Sequence, residues 1–172
     1  MSGGTSVGRT TPYDHERLLD EVGWRILAEL QQDARLSYSE LGARVGLSAP
    51  AVAERMRRLE EAGIITGYRA EVDAGKLGLP ITAYIRCTSP GPQVGAIARQ
   101  SPEVLECHRI TGSDAFILKV VVASVPHLEA IIDRLLPYGQ PTTSLVLSSP
   151  VPGRGVSRGA LQQEGPDAGP GD

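Results

Sequence analysis

Apolar positions in the first third of the chain recur at helical spacing. Leu19, Ile26, Leu27 and Leu30 fall on one stripe and predict a helix from about His15 to Gln32, with Gly23 as a slight weakness inside it. Ser37, followed three residues later by Glu40, reads as a capping box for a short second helix with Leu41 and Val45 on its apolar side and Gly46 at its end. Ser48 then caps a third helix. Pro50 stands in its first turn, where a missing N–H is harmless, and Gly63 closes it, with Leu47, Val52, Met56 and Leu59 pointing inward.

Beyond residue 80 the period shortens to two. Ile81, Ala83, Ile85 and Cys87 alternate with Thr82, Tyr84, Arg86 and Thr88, as in a strand with one buried face. A helix over Pro92–Gln100 follows, with Val94, Ile97 and Ala98 inward. Strands Leu105–Thr111 and Phe116–Ala123 then flank the turn Gly112-Ser113-Asp114-Ala115. Leu128, Ile131, Ile132, Leu135 and Leu136 make an amphipathic helix, and Thr142–Ser149 reads as a last strand. The order βαββαβ is that of a ferredoxin-like sandwich. The expected fold class is therefore α+β, a helix-turn-helix domain over 14–66 followed by a ferredoxin-like domain over 79–152. Residues 67–78, which alternate weakly, are expected to be a strand-like linker. Residues 1–13 and 153–172 hold few apolar groups to offset ordering entropy and are expected to be disordered tails.

Composition narrows the function. Aromatic residues make up 4% of the 172, too few for platforms that stack single-stranded bases, and a net charge of −3 argues against indiscriminate coating of nucleic acid. No apolar run approaches a bilayer span, and Met1–Thr5 lacks the order of a signal peptide, so a cytoplasmic protein without membrane contact is expected. Cys87 and Cys107 lack CxxC spacing and read as buried thiols; neither a metal site nor a cofactor is expected. Cys107 and His108 are adjacent on a strand, so they point to opposite faces and form no dyad. The chain does not read as an enzyme.

The chemistry concentrates between Ser37 and Arg58. Stepping about 100° per residue from Val52 keeps Met56 and Leu59 within about 40° of it and gathers Pro50, Glu54, Arg57 and Arg58 on the far side. That side can enter a major groove. Arg55 falls on the flank, within reach of the DNA backbone, while Ser48, Ala49 and the first N–H groups of the helix can accept a phosphate. Two plainer readings compete. Glu54, Glu60 and Glu61 could pair with these arginines as an ordinary solvated face, and acidic and basic residues balance between Arg17 and Arg69. A ligand-sensing module that regulates a protein partner without touching DNA would fit that balance.

The series Leu18-Leu19-Asp20, Ala34-Arg35-Leu36-Ser37, Val45-Gly46-Leu47-Ser48, Glu54-Arg55-Met56-Arg57-Arg58-Leu59-Glu60 and Gly63-Ile64-Ile65-Thr66-Gly67-Tyr68 resembles the Lrp/AsnC family of transcription regulators. The likeness continues through Glu106-Cys107-His108, Thr111-Gly112 and Leu118-Lys119, and spans about residues 15–152. It implies a regulator of double-stranded DNA that forms homodimers sheet to sheet and assembles further into octamers or related discs. It also implies a small effector of the amino-acid class, bound between dimers near the hairpin turn. On matching positions, Gly112, Ser113, Asp114 and Ala115 would supply the turn side of that pocket, and Thr142, Ser144 and Val146 the side of the last strand. The sequence departs from the family where Ala115 replaces a frequent acidic residue, with Asp114 one place earlier, and where Gly23 replaces another.

Overall fold

The computed structural model describes residues 17–88 and 91–161. The chain divides into two compact units: residues up to Arg69 together with those from Gly153 onward form one, and Ala70–Pro152 the other.

In the first unit three helices follow one another, α1 (Glu21–Gln32), α2 (Tyr38–Val45) and α3 (Ala49–Glu61). Their apolar stripes meet in a core of Ile26, Leu41, Val45, Val52, Met56 and Leu59. Helix α1 starts later than its stripe suggests. Helical backbone at 17–18 gives way to a bend, Asp20 turns extended, and its carboxylate accepts the Gly23 N–H at 2.8 Å. An aspartate there satisfies a donor that the first turn would otherwise leave orphaned. His15 lies outside the described residues. Gly23 is required rather than tolerated, because a Cβ at this position would stand 1.9 Å from the Leu18 carbonyl oxygen.

The second unit contains β1 (Ile81–Cys87), α4 (Gln93–Gln100), β2 (Val104–Arg109), β3 (Phe116–Val122), α5 (Val125–Leu135) and β4 (Pro141–Leu145). The sheet order is β2-β3-β1-β4 with every pair antiparallel, the topology expected of βαββαβ. The period-two pattern sends Ala83, Ile85 and Cys87 of β1 and Leu118, Val120 and Val122 of β3 to one face. Val94 and Ala98 of α4 and Leu128, Ile131 and Leu135 of α5 seal that face.

Four further segments differ from the sequence expectation. Residues 67–78 form no strand, only a 3-10 turn at Gly75–Leu77; a strand exists only as one of a pair, and the chain offers this stretch no ladder. Strand β4 stops at Leu145 rather than Ser149, although the Val146 N–H still donates to the Thr82 carbonyl at 2.9 Å. The β2–β3 connection is longer than the four-residue turn, running over 110–115 and closed by the Ile110 N–H on the Ala115 carbonyl at 3.0 Å. The described part of the expected C-terminal tail, 153–161, is hydrogen-bonded to α1 and ends in a 3-10 turn at Arg158–Leu161. Residues 1–16 and 162–172 lie outside the description. Among the described residues no helix is long and apolar enough to cross a membrane.

Candidate functional site

The turn between α2 and α3 is built from three local devices. Ser37 and Glu40 close the capping box at the start of α2, the Glu40 carboxylate accepting the Ser37 N–H at 2.8 Å and the Ser37 hydroxyl accepting the Glu40 N–H at 3.2 Å. Gly46 takes a left-handed conformation (φ 77°) that ends α2, and its N–H and that of Leu47 both reach the Gly42 carbonyl, at 2.8 and 2.9 Å. Backbone approaches so closely here that a Cβ on Gly42 would stand 2.4 Å from the Leu47 carbonyl oxygen. Ser48 then caps α3 by accepting the Ala51 N–H at 3.4 Å. The two helices are thereby locked at a short, glycine-mediated corner.

Helix α3 separates its faces cleanly. Val52, Met56 and Leu59 are buried, while Ser48, Pro50, Glu54, Arg57 and Arg58 are exposed and Ala49 is half-buried. The exposed side is already an ion network. Glu54 accepts from Arg57 at 2.8 and 3.0 Å and from Arg58 at 2.7 Å, and Arg57 also reaches Glu61 at 2.5 Å. The two guanidinium groups hold the Glu54 carboxyl down to about 2, so it stays ionised at any physiological pH. The sequence foresaw both the arginine face and its competing ion pairs, and the structure contains both.

Arg55 has a partner within its own unit. Its guanidinium makes a two-pronged pair with Asp20, both contacts 2.7 Å, and so ties α3 to the capped start of α1. Arg55 hydrogen bonding holds the Asp20 carboxyl below the usual carboxylate range. Asp20 was expected inside the first helix, and nothing local points to a partner 35 positions away. Arg17, also unforeseen, lines an open groove of about 840 Å³ with Glu54, Arg55 and Arg58. On the opposite flank Arg44 pairs with Glu29 at 2.7 Å and its carbonyl accepts from Arg25, joining α2 to α1.

The expected effector positions lie on the sheet of the second unit. Gly112 takes φ 112° in the hairpin connection with nothing within 4 Å of where a Cβ would stand. Ser113 is exposed, and Asp114 and Ala115 are half-buried. The Ala115 N–H donates to the Cys87 carbonyl at 2.8 Å, which brings the hairpin beside the end of β1. Thr142 stands opposite Arg86 and Ser144 opposite Tyr84, with Val146 next to Thr82. Pairing residues share a face, so these β4 positions look away from the helices. Within one chain the seven positions mark one end and one edge of the sheet, with β1 between the hairpin and β4. That same face carries Lys119, which pairs with Glu106 at 3.0 Å. Burial pushes the Cys87 thiol up, consistent with a packed rather than reactive cysteine. Among the described residues no group of three His, Cys, Asp or Glu side chains could hold a metal ion.

A glycine-cornered pair of helices with an arginine-bearing outer face, joined in one chain to a ferredoxin-like domain, defines a helix-turn-helix transcription regulator with a ligand-binding domain. Residues 19–60 match the AsnC-type helix-turn-helix domain and residues 84–156 the Lrp/AsnC ligand binding domain. The chain is 45% identical over 132 residues to the uncharacterized HTH-type transcriptional regulator YezC of Bacillus subtilis, covering 76% of this chain and 95% of that one. It belongs to the Lrp/AsnC family. Among solved structures, B. subtilis LrpC superposes with a TM-score of 0.75 at 36% identity, covering 78% of this chain and 99% of that one. A Neisseria meningitidis transcriptional regulator in complex with L-methionine superposes with a TM-score of 0.78 at 28% identity, covering 83% and 99%.

Proposed function

We propose that α3 enters the major groove of duplex DNA with Pro50, Glu54, Arg57 and Arg58 facing the bases, and that an amino acid binding at the hairpin end of the ferredoxin-like domain sets which sites are occupied. The observation that supports the first part is the sorting of α3 into a sealed inner face and an outer face whose ion-pair partners are exposed and solvent-screened. Such ion pairs gain little in water, so exchanging Glu54 and Glu61 for phosphate and base-edge acceptors is cheap. Ser48, Ala49 and the N-terminal turn of α3 would meet a phosphate, since the helix dipole favours an anion there. Arg55, closed on Asp20, acts by fixing the helix rather than by reading DNA.

For the effector, the supports are the open approach at Gly112 and the L-methionine complex of the Neisseria relative. Backbone N–H groups at Gly112–Ala115 can receive a carboxylate closely because no Cβ intervenes at Gly112. Thr142, Ser144 and Val146 would face the ligand from β4, across β1 from the hairpin, and a second subunit would complete the wall. The working unit is accordingly a homodimer or a larger assembly such as an octamer in a cytoplasmic setting. An effector moves that assembly only by its differential affinity for two states.

One experiment tests the reading: selection of bound duplexes from random DNA with the wild type and Arg58→Ala, repeated with a panel of amino acids and across a salt series. Wild type should enrich an imperfect inverted repeat with half-site centres roughly 34–36 Å apart or a multiple of it, with affinity falling as salt rises. Arg58→Ala should lose roughly tenfold to a hundredfold in affinity. Enrichment of no motif at low salt would favour the reading in which the domain contacts a protein instead.

A further inference from the structure

Helix α1 has a face that neither the core nor α3 uses. Trp24, Arg25, Ala28 and Gln31 line it together with Glu21 and Gln32, and the chain's own segment 155–158 forms the facing wall. The contact is specific at one point. The Gln31 side chain accepts the Val156 N–H at 2.7 Å through Oε1 and donates through Nε2 to the Val156 carbonyl at 3.0 Å. A side-chain amide offering both groups to one residue's backbone imitates a neighbouring β-strand, and it recognises extended main chain without regard to the side chain. The preceding position is sterically defined. A Cβ on Gly155 would stand 2.7 Å from Gln31 Oε1, 2.8 Å from its Cδ and 3.0 Å from its Cβ, although Gly155 is outside the left-handed region and needs no glycine for its backbone angles. Arg158 and Glu21, of opposite charge, line the two sides of the groove.

We propose that this face of α1 is a docking groove for extended peptide whose occupant is the chain's own segment Gly153–Leu161. The strap gives the chain a second tether between its units. The chain leaves the helix-turn-helix unit after Arg69 and returns to it after Pro152, so the DNA-reading unit is held at two points of its sequence and not one. The strap is detachable. Its hydrogen bonds are exposed, and Val156 and Leu161 keep most of their surface in water, so it rests on two modest bonds and on the high effective concentration that a short connection supplies. The matched ligand-binding domain ends at residue 156, within the strap.

Trp24 is the chain's single tryptophan and lines the groove, which makes its fluorescence a direct reporter. The full chain, a chain ending at Pro152, and full-length Gln31→Ala and Gly155→Val would be compared by emission maximum and acrylamide quenching, with far-UV circular dichroism confirming equal helix content. Truncation should shift Trp24 emission to the red and raise its quenching. Both point variants should move the full chain the same way, since the side chain introduced by Gly155→Val can be housed only by pushing Gln31 off Val156. A synthetic peptide of residues 153–161 should reverse the shift saturably in the truncated chain and leave the full chain unchanged. Identical quenching in all four proteins overturns the proposal. So does a change on truncation that neither point variant reproduces, because Trp24 would then be covered by something other than this bracket.

Discussion

Helix α3 and the Gly112 hairpin are both candidate sites, and they differ in how much of each site one stretch of chain supplies. Every proposed DNA contact lies between Ser48 and Arg58 on one helix, whose orientation is set by three buried residues of the same helix. The proposed effector positions are split between a hairpin and an edge strand with β1 between them. The first proposed site lies on one helix, and the second draws on two separate segments of the chain. The two proposed sites lie in different units of the chain, so they can be damaged separately.

The sharpest way to break that separation is to damage each core alone. Leu59 is fully buried with Ile26, Leu41 and Val52, and Ile131 is fully buried with Ile85 and Leu118. Each truncation to alanine should cost its own unit about 2–5 kcal/mol. Hydrogen exchange resolved by segment should rise across α1–α3 in Leu59→Ala and across the sheet in Ile131→Ala. Equal rises in both units from either variant would mean one cooperative molecule and would undo the comparison.

Two glycines sharpen it at smaller cost. Gly42 is crowded by backbone, with the Leu47 carbonyl 2.4 Å from a hypothetical Cβ, so Gly42→Ala must shift the helix-turn-helix corner at about 1–3 kcal/mol. Gly112 is uncrowded and needs glycine only for φ 112°, so Gly112→Ala should cost about 1 kcal/mol and leave α1–α3 untouched. Urea unfolding of both variants checks the order. A larger loss at Gly112 would show that the hairpin is packed in the working assembly more tightly than in the single chain.

What the sequence disclosed follows the same division. The capping box at Ser37, the cap at Ser48, the sealed side of α3 and the βαββαβ order are matters of spacing over a few residues, and all are present in the structure. Partnerships across long separations were invisible. Nothing near Arg55 announces Asp20, nothing near Gln31 announces Val156 at a separation of 125 residues, and Gly23 looked like a weak helix position because its neighbour Leu18 folds back only in three dimensions. The linker at 67–78 failed as a strand for the complementary reason, since its alternation is local but a ladder is not.

The smallest effect isolates one of those hidden partnerships. Asp20 caps α1 and pairs with Arg55, and its folded carboxyl is held below its ordinary value. Above the unfolded value near 4 both states are ionised, and the pair contributes in full. As pH falls through 4 the unfolded chain takes the proton first, and the contribution is gone once pH passes the depressed folded value. Asn at this position keeps a capping oxygen and loses the charge. The Asp20 side chain is 43% exposed, so solvent screening limits the loss in Asp20→Asn to about 1 kcal/mol or less at pH 7. The gap between wild type and variant in urea unfolding should start to close as pH falls towards the unfolded value (~3.9) and vanish once the depressed folded carboxyl has also taken up its proton, and it should narrow in high salt. A gap that stays constant with pH would remove the charge from the account and leave α3 anchored by packing alone.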